Sequence, residues 1–122
     1  MPQTNKQTAG QAGEDAALTH LLAAGLTLIE RNFQCRWGEI DLILRDSDCL
    51  VFVEVRLRSS NQYGGAAASV DQRKQKKLRK TALHYLQRNR SSPNQAARID
   101  VVALQTTPTG FDIDWITNAV EG

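Results

Sequence analysis

Asp41 and Glu54 are the residues best able to do chemistry in this chain. They lie in the stretch Gly38–Arg58, GEIDLILRDSDCLVFVEVRLR, with Glu39 as a third acid where an apolar residue would be cheaper to fold. The apolar runs stop at Arg45 and resume at Leu50, leaving a four-residue connection, Asp46–Cys49, a common hairpin length. With Arg45 opposite Leu50, Asp41 falls opposite Glu54, and opposed residues of antiparallel strands have Cβ atoms about 5 Å apart. Two facing carboxylates destabilise a strand pair, and a buried carboxylate resists ionisation. Three arrangements would offset this: a proton kept by one acid, basic side chains beside the pair, or a divalent cation between them. Alternation along the strand puts Arg56 and Arg58 on the face of Glu54, so an ion-pair network needs no metal. The cation reading uses more of the pattern. Mg²⁺ takes a few carboxylates plus waters and a substrate phosphate. It can hold a phosphodiester oxygen, activate a water and steady the leaving oxygen. A cationic neighbour such as Arg56 would steady developing negative charge.

The elements that must position these groups are legible from periodicity. Residues 1 to 10 are polar and aperiodic, a disordered tail by composition. From Gln11 to Ala24, Ala17, Leu18, Leu21 and Leu22 repeat at helical spacing, and Gly25 is a C-terminal stop. Glu14 lies one turn before Ala17 and Leu18 and shares their inward stripe, although first-turn acids also serve the helix dipole alone. Strands are expected at Leu26–Phe33, Glu39–Arg45 and Leu50–Leu57, the last apolar on both faces and therefore central. Ser59–Ser69 reads as a glycine-bearing loop. Val70–Arg90 reads as a long helix with Leu78, Ala82, Tyr85 and Leu86 inward, Arg73, Lys77, Lys80 and His84 outward, and Lys74 at the edge. Ser91–Gln95, with Pro93, ends it. Strands Arg98–Leu104 and Phe111–Ile116 follow, joined through a turn at Pro108–Gly110. The expected fold is α/β, a mixed central sheet of about five strands flanked by helices in the order αβββαββ, in a single domain over 11–122.

The charge is unevenly spread. The chain has 122 residues and a net charge of +2. Eight Lys/Arg against the single acid Asp71 fall between Val70 and Arg90, so the rest of the chain is acidic. A basic block on an acidic body points to an anionic partner. No apolar run reaches the roughly 18 residues of a membrane span, and the N-terminus has no apolar signal segment. A cytoplasmic protein is expected, with Cys35 and Cys49 as free thiols. His20 and His84 are too scattered for a His-based zinc site. Glu39 is set aside as a rim residue, and Arg98 and Asp100 are expected to pair with each other. Trp37 and Tyr63 lie in loops where either could stack on a base, with packing the expected role of Trp37.

Asp41, then twelve residues, then Glu54-Val55-Arg56 resembles the D…(D/E)xK signature of restriction-endonuclease-like nucleases. Glu14 corresponds in place to the first-helix acid of the branch that includes archaeal Holliday-junction resolvases. The run of GE at 13–14, RN at 31–32, GEIDL at 38–42, VFVEVR at 51–56, RKQKKL at 73–78 and RIDVV at 98–102 is similar to the YraN-like family, a bacterial family assigned to that fold. The resemblance covers about residues 10 to 120. It implies a DNA endonuclease core with Asp41, Glu54 and Glu14 as acids for Mg²⁺ (or Mn²⁺), and branched DNA such as a Holliday junction as a substrate. The departure is Arg56, where the signature has Lys; an arginine can hold a phosphate but does not act as a base. Lys74 is a second candidate for that position. Arg58, Arg73, Lys74, Lys77 and Lys80 are the expected DNA contacts, and a homodimer would suit two-strand cutting. The rival expectation is a non-catalytic nucleic-acid-binding or adaptor domain on a degenerate nuclease fold.

Overall fold

A computed structural model describes residues 9–58, 70–89 and 93–120. The expected tail falls largely, and the 59–69 loop with Tyr63 wholly, outside the described residues. The elements are α1 (Ala9–Ala23), β1 (Thr27–Cys35), β2 (Gly38–Asp46), β3 (Cys49–Arg58), α2 (Gln72–Asn89), β4 (Ala97–Thr107) and β5 (Gly110–Val120). The order is αβββαββ, as the periodicity predicts, and the sheet is five-stranded in the order β1-β2-β3-β4-β5. Only β3 and β4 pair in parallel. A parallel pair needs a long crossover, and α2 lies in that connection.

The helices cover opposite faces of the sheet. Ala17 and Leu21 of α1 pack with Leu42, Leu44, Val51, Val53, Val102 and Leu104. Leu78, Ala82 and Tyr85 of α2 pack with Ile40, Ile43, Phe52, Ile99 and Val101. Val51 and Phe52 are both at most 1% exposed on opposite faces of β3, which is why this strand reads as apolar throughout. Tyr85 meets Phe33 and Phe52 edge-on, with centroids 5.2 and 5.6 Å away, a favoured aromatic geometry.

The face assignments expose an irregularity in β2. In a regular strand residues 40, 42 and 44 share one face. Here Ile40 packs under α2, whereas Leu42 and Leu44 pack under α1. The strand changes face once, at Asp41. The β2–β3 ladder also stops there, its last pair being Leu42↔Val53, while β1 and β2 stay paired on to Cys35↔Gly38. The sheet therefore forks at Asp41, with the β1–β2 hairpin diverging from β3.

Several local expectations are corrected. The β2–β3 connection is the two-residue turn Ser47–Asp48, not four residues, because Asp46↔Cys49 is still a ladder pair. Ser47 has φ 55°, the positive value that primed two-residue turns require at their first position. Arg45↔Leu50 survives the change, so the expected register holds. Leu22 is 44% exposed, off the inward stripe of α1. Thr81 takes an inward place on α2 instead, and its hydroxyl donates to the Lys77 carbonyl at 2.8 Å, so a polar residue is buried without an unmet donor. Gly25 terminates α1 with φ 103°. Asp71, the single acid in the basic segment, accepts the Lys74 N–H at 2.9 Å and caps the start of α2.

At the opposite end of the sheet, Arg98 and Asp100 pair as expected, within a larger network. Asp100 is fully buried and accepts from Arg98 Nε at 3.0 Å, Trp115 Nε1 at 2.9 Å and Asn118 N at 2.8 Å. Arg98 also reaches Asp46 at 3.1 Å. Among the described residues no helix is long and apolar enough to cross a membrane. Asp100→Ala leaves the half-buried Arg98 and the Trp115 indole short of an acceptor; it should cost about 3–5 kcal/mol, read as a lower urea midpoint at unchanged m-value.

Candidate functional site

Asp41 is held at the fork by the backbone. Where the β2–β3 ladder ends, its Oδ2 takes the Val55 N–H at 2.8 Å, so the carboxyl group fills the gap between the strands. Glu54, one residue earlier on β3, is 5% exposed and close enough for its charge to act on Asp41. The two acids do meet, but through side chains at a split rather than as a ladder pair on one flat face.

Two buried carboxyl groups side by side resist being ionised together. Burial pushes Asp41 up to about 7, the Glu54 charge adds to the rise, and the Val55 N–H opposes it. Burial also raises Glu54, with Lys74 and then Arg56 pulling it back down. Lys74 Nζ stands 3.4 Å from Glu54 Oε2, and an Arg56 terminal nitrogen 3.8 Å from the same oxygen. Glu54 is thus placed between a second carboxyl group and two cations. The Asp71 cap fixes the turn of α2 that carries Lys74, so this lysine reaches inward from the helix.

Glu14 shares a small cavity of about 230 Å³ with Asp41, Val55 and Gly13, and its charge contributes to the rise at Asp41. Its carboxylate is nevertheless engaged elsewhere. Arg31 donates to it at 2.7 Å and Asn32 at 3.3 Å, while Arg31 also holds Asp15 at 2.7 Å. Among the described residues no three His, Cys, Asp or Glu side chains converge closely enough to chelate an ion. Asp41 and Glu54 fit a divalent cation in charge and chemistry: they are oxygen donors whose repulsion a cation would relieve. Glu14 would first have to leave Arg31.

Arg31 and Asn32 were not among the expected site residues. The available signal was a polar Arg-Asn pair inside a strand, with asparagine among the few residues that tolerate a positive φ. Asn32 has φ 54°, and it falls at the unpaired position between the Arg31↔Leu42 and Phe33↔Ile40 rungs, across from Asp41.

Arg58 ends β3, its Nε buried without a hydrogen-bond partner among the described residues. Arg73, Lys77 and Lys80 are exposed along α2. Lys74 and Lys77 form one wall of a cleft of about 450 Å³, with Gln34, Cys35, Gly38 and Glu39 on the other. Glu39 is exposed and bonded by Gln34 at 3.2 Å, a rim position as expected. Trp37 is less buried than expected, at 38% exposure. It occupies the two-residue turn between β1 and β2 rather than a packed site.

A mixed α/β domain with a buried acid pair at a strand fork and a helix-borne lysine is the class these features define. The chain belongs to the uncharacterised protein family UPF0102, whose model matches residues 13–104, a span that includes Glu14, Asp41, Glu54, Arg56 and Lys74. Its relatives include the UPF0102 protein HEAR0176 of Herminiimonas arsenicoxydans, 51% identical over 98% of this chain and 92% of that protein. Others are UPF0102 proteins of Stutzerimonas stutzeri, 46% identical over 97% of this chain and 98% of the relative, and of Photobacterium profundum, 48% identical over 97% and 94%. Among solved structures, Pyrococcus furiosus SfsA in complex with Ca²⁺ overlaps loosely, with a TM-score of 0.35 and 15% identity over 93% of this chain and 64% of that one; nothing further rests on it.

The raised Asp41 pKa carries a pH dependence. Between the ordinary aspartate value of 3.8 and about 7 the folded protein holds a proton that the unfolded chain releases, so stability falls as pH rises through that window. At about 1.36 kcal/mol per unit the loss above pH 7 is at most about 4 kcal/mol. Asp41→Asn keeps an acceptor for Val55 and cannot ionise. In metal-free buffer it should raise the melting temperature at pH 8 and lose that advantage toward pH 4; parallel curves for the two proteins would show that Asp41 is already ionised in the fold.

Proposed function

We propose that this chain is a divalent-metal-dependent DNA endonuclease on a restriction-endonuclease-like core, acting on branched DNA such as Holliday junctions. The observation that carries the reading is the ammonium group of Lys74 at 3.4 Å from Glu54, beside an acid pair at a strand fork. The resemblance leaves position 56 without the lysine of the nuclease signature; α2 supplies a lysine to the same carboxylate.

Asp41 and Glu54 would hold Mg²⁺ or Mn²⁺, which supplies neutralisation of the phosphate and a more acidic water. The remaining work falls to the chain's own groups. Lys74 and Arg56 steady negative charge as it develops on the phosphate. Arg56 serves as a fixed charge only, since a guanidinium keeps its proton. Arg31 and Asn32 hold Glu14 at the edge of the pair, where it can add a third acid once released. Arg73, Lys77 and Lys80 extend the positive surface along α2, and such phosphate contacts orient a nucleic acid without reading its sequence. Cutting a junction on two strands needs two sites, so this reading carries a homodimer.

A second reading has its own support. Lys74 and Arg56 already neutralise Glu54 in part, which fits a DNA-binding domain that performs no cleavage. The two differ in their response to metal. For the endonuclease, Mg²⁺ should raise the wild-type melting temperature at pH 8 by mass action and leave Glu54→Gln unmoved. Wild type should cut a four-way junction in Mg²⁺ or Mn²⁺, Asp41→Asn and Glu54→Gln should abolish cutting, and Lys74→Ala should slow it about 10²-fold. Binding that persists in EDTA, with neither a metal-induced melting shift nor cleavage of any DNA form, would establish the binding domain instead.

A further inference from the structure

Trp37 is a large aromatic side chain at an exposed turn, and it is not left to move freely. The next residue, Gly38, lies so close to α2 that a Cβ there would sit 3.2 Å from Thr81 Oγ1. The start of β2 therefore runs close against the basic helix. The Trp37 ring has two cations over it: the Arg36 guanidinium carbon at 4.8 Å and Lys80 Nζ at 5.0 Å from its centroid. From this turn the cleft between β1–β2 and α2 is walled by Lys77 and then Lys74. Lys74 is also the residue that touches Glu54. An aromatic platform, a row of cations and the acid pair therefore follow one another along a single path. Among the described residues Glu39 is the one acid lining that cleft; it is exposed and bonded to Gln34.

The chemistry of this path matches one kind of ligand. A strand with unpaired bases offers a π face for stacking and phosphates at regular intervals for the cations, and aromatic side chains interleaved with bases are how such strands are held. A base-paired duplex hides its base faces inside the stack and gives the indole nothing to cover. Arg36 and Lys80 occupy the ring in the free protein, and both are long enough to swing to a phosphate as a base replaces them, so the ring stays covered in both states. Gly38 to Asp41 spans about 10 Å at roughly 3.3 Å per residue, or about three stacked nucleotides at roughly 3.4 Å each.

We propose that Trp37 is the stacking platform for an unpaired nucleotide a few positions from the phosphate at Asp41 and Glu54, which makes single-stranded or strand-frayed nucleic acid the substrate class of this site. The inference rests on the nuclease reading only for the direction of the strand; the binding itself needs no metal. The test is therefore run in EDTA, with fluorescence anisotropy of a labelled single-stranded oligonucleotide and of a blunt duplex of equal length.

Stacking is worth about 1–3 kcal/mol per base. Trp37→Ala should accordingly weaken single-strand binding about 5- to 150-fold and change duplex binding by less than about 2-fold. Trp37→Phe, which keeps a ring and the turn, should recover most of the loss. An unlabelled oligonucleotide should quench tryptophan emission in wild type and not in Trp37→Ala, which retains Trp115 as an internal reference. Equal losses on both DNA forms, no loss on either, or a wild type that binds neither would overturn the proposal. A wild type that binds with quenching and never cleaves removes the nuclease reading and leaves this one; cleavage with Trp37→Ala indistinguishable from wild type on every substrate does the reverse.

Discussion

The fold of this protein is arranged around a carboxyl pair that its own sheet does not satisfy. Asp41 and Glu54 are brought together where β2 and β3 separate, and the separation is what makes their meeting tolerable. In a continuous ladder the strands would hold both acids in fixed opposition at van der Waals range. At the fork, Asp41 can accept a backbone N–H from Val55 while burial and the Glu54 charge favour its protonated form. Buried like charges persist only when surrounding structure compensates them, and here the compensation comes from three elements: a β3 amide, the β3 residue Arg56 and Lys74 from α2. The pair is thus held by a backbone amide on one side and by ammonium and guanidinium groups on the other.

The two helices have different parts in this. α2 is fastened at its start by the Asp71 cap and along its length by Leu78, Thr81, Ala82 and Tyr85, so its lysines project from a fixed frame. α1 contributes Glu14, but Arg31 and Asn32 hold that carboxylate back toward β1. Asn32 occupies a left-handed conformation directly across the hairpin from Asp41. Positive φ away from glycine tends to gather at functional sites, and Asn32 and Asp41 flank the same spot.

Much of this was legible in the sequence, for physical reasons that can be named. Apolar periodicity located every strand and both helices, because the two periods differ and the core is continuous on both faces of β3. The Arg45–Leu50 register was recoverable even though the turn length was misjudged, since symmetric lengthening of both strands leaves the pairing unchanged. The fork was not recoverable. Alternation assumes a regular strand, and nothing in the string ILE-ASP-LEU announces that Ile40 and Leu42 face opposite helices. For the same reason the Glu14 clamp was invisible: it depends on where β1 runs relative to α1. Lys74 could be placed near the edge of a helical stripe, but its reach to Glu54 is a tertiary fact. Packing is the expected role of Trp37 because tryptophan usually packs; its place in the two-residue turn, with Arg36 and Lys80 over its ring, is again a tertiary fact.

The strand order has a further consequence. Neighbours in the sheet are neighbours in the chain throughout, and three of the four strand pairings are closed by a two-residue turn. Only the β3–β4 pairing spans a long separation, across α2. Chains dominated by such local pairings have low contact order and fold fast, with the non-local closure as the slow event. The β1–β2–β3 meander can thus assemble Asp41 beside Glu54 before β4 arrives, while both acids still face water. Docking of α2 and β4 then removes the solvent, so the charge conflict of the site is met at the last step of folding rather than the first.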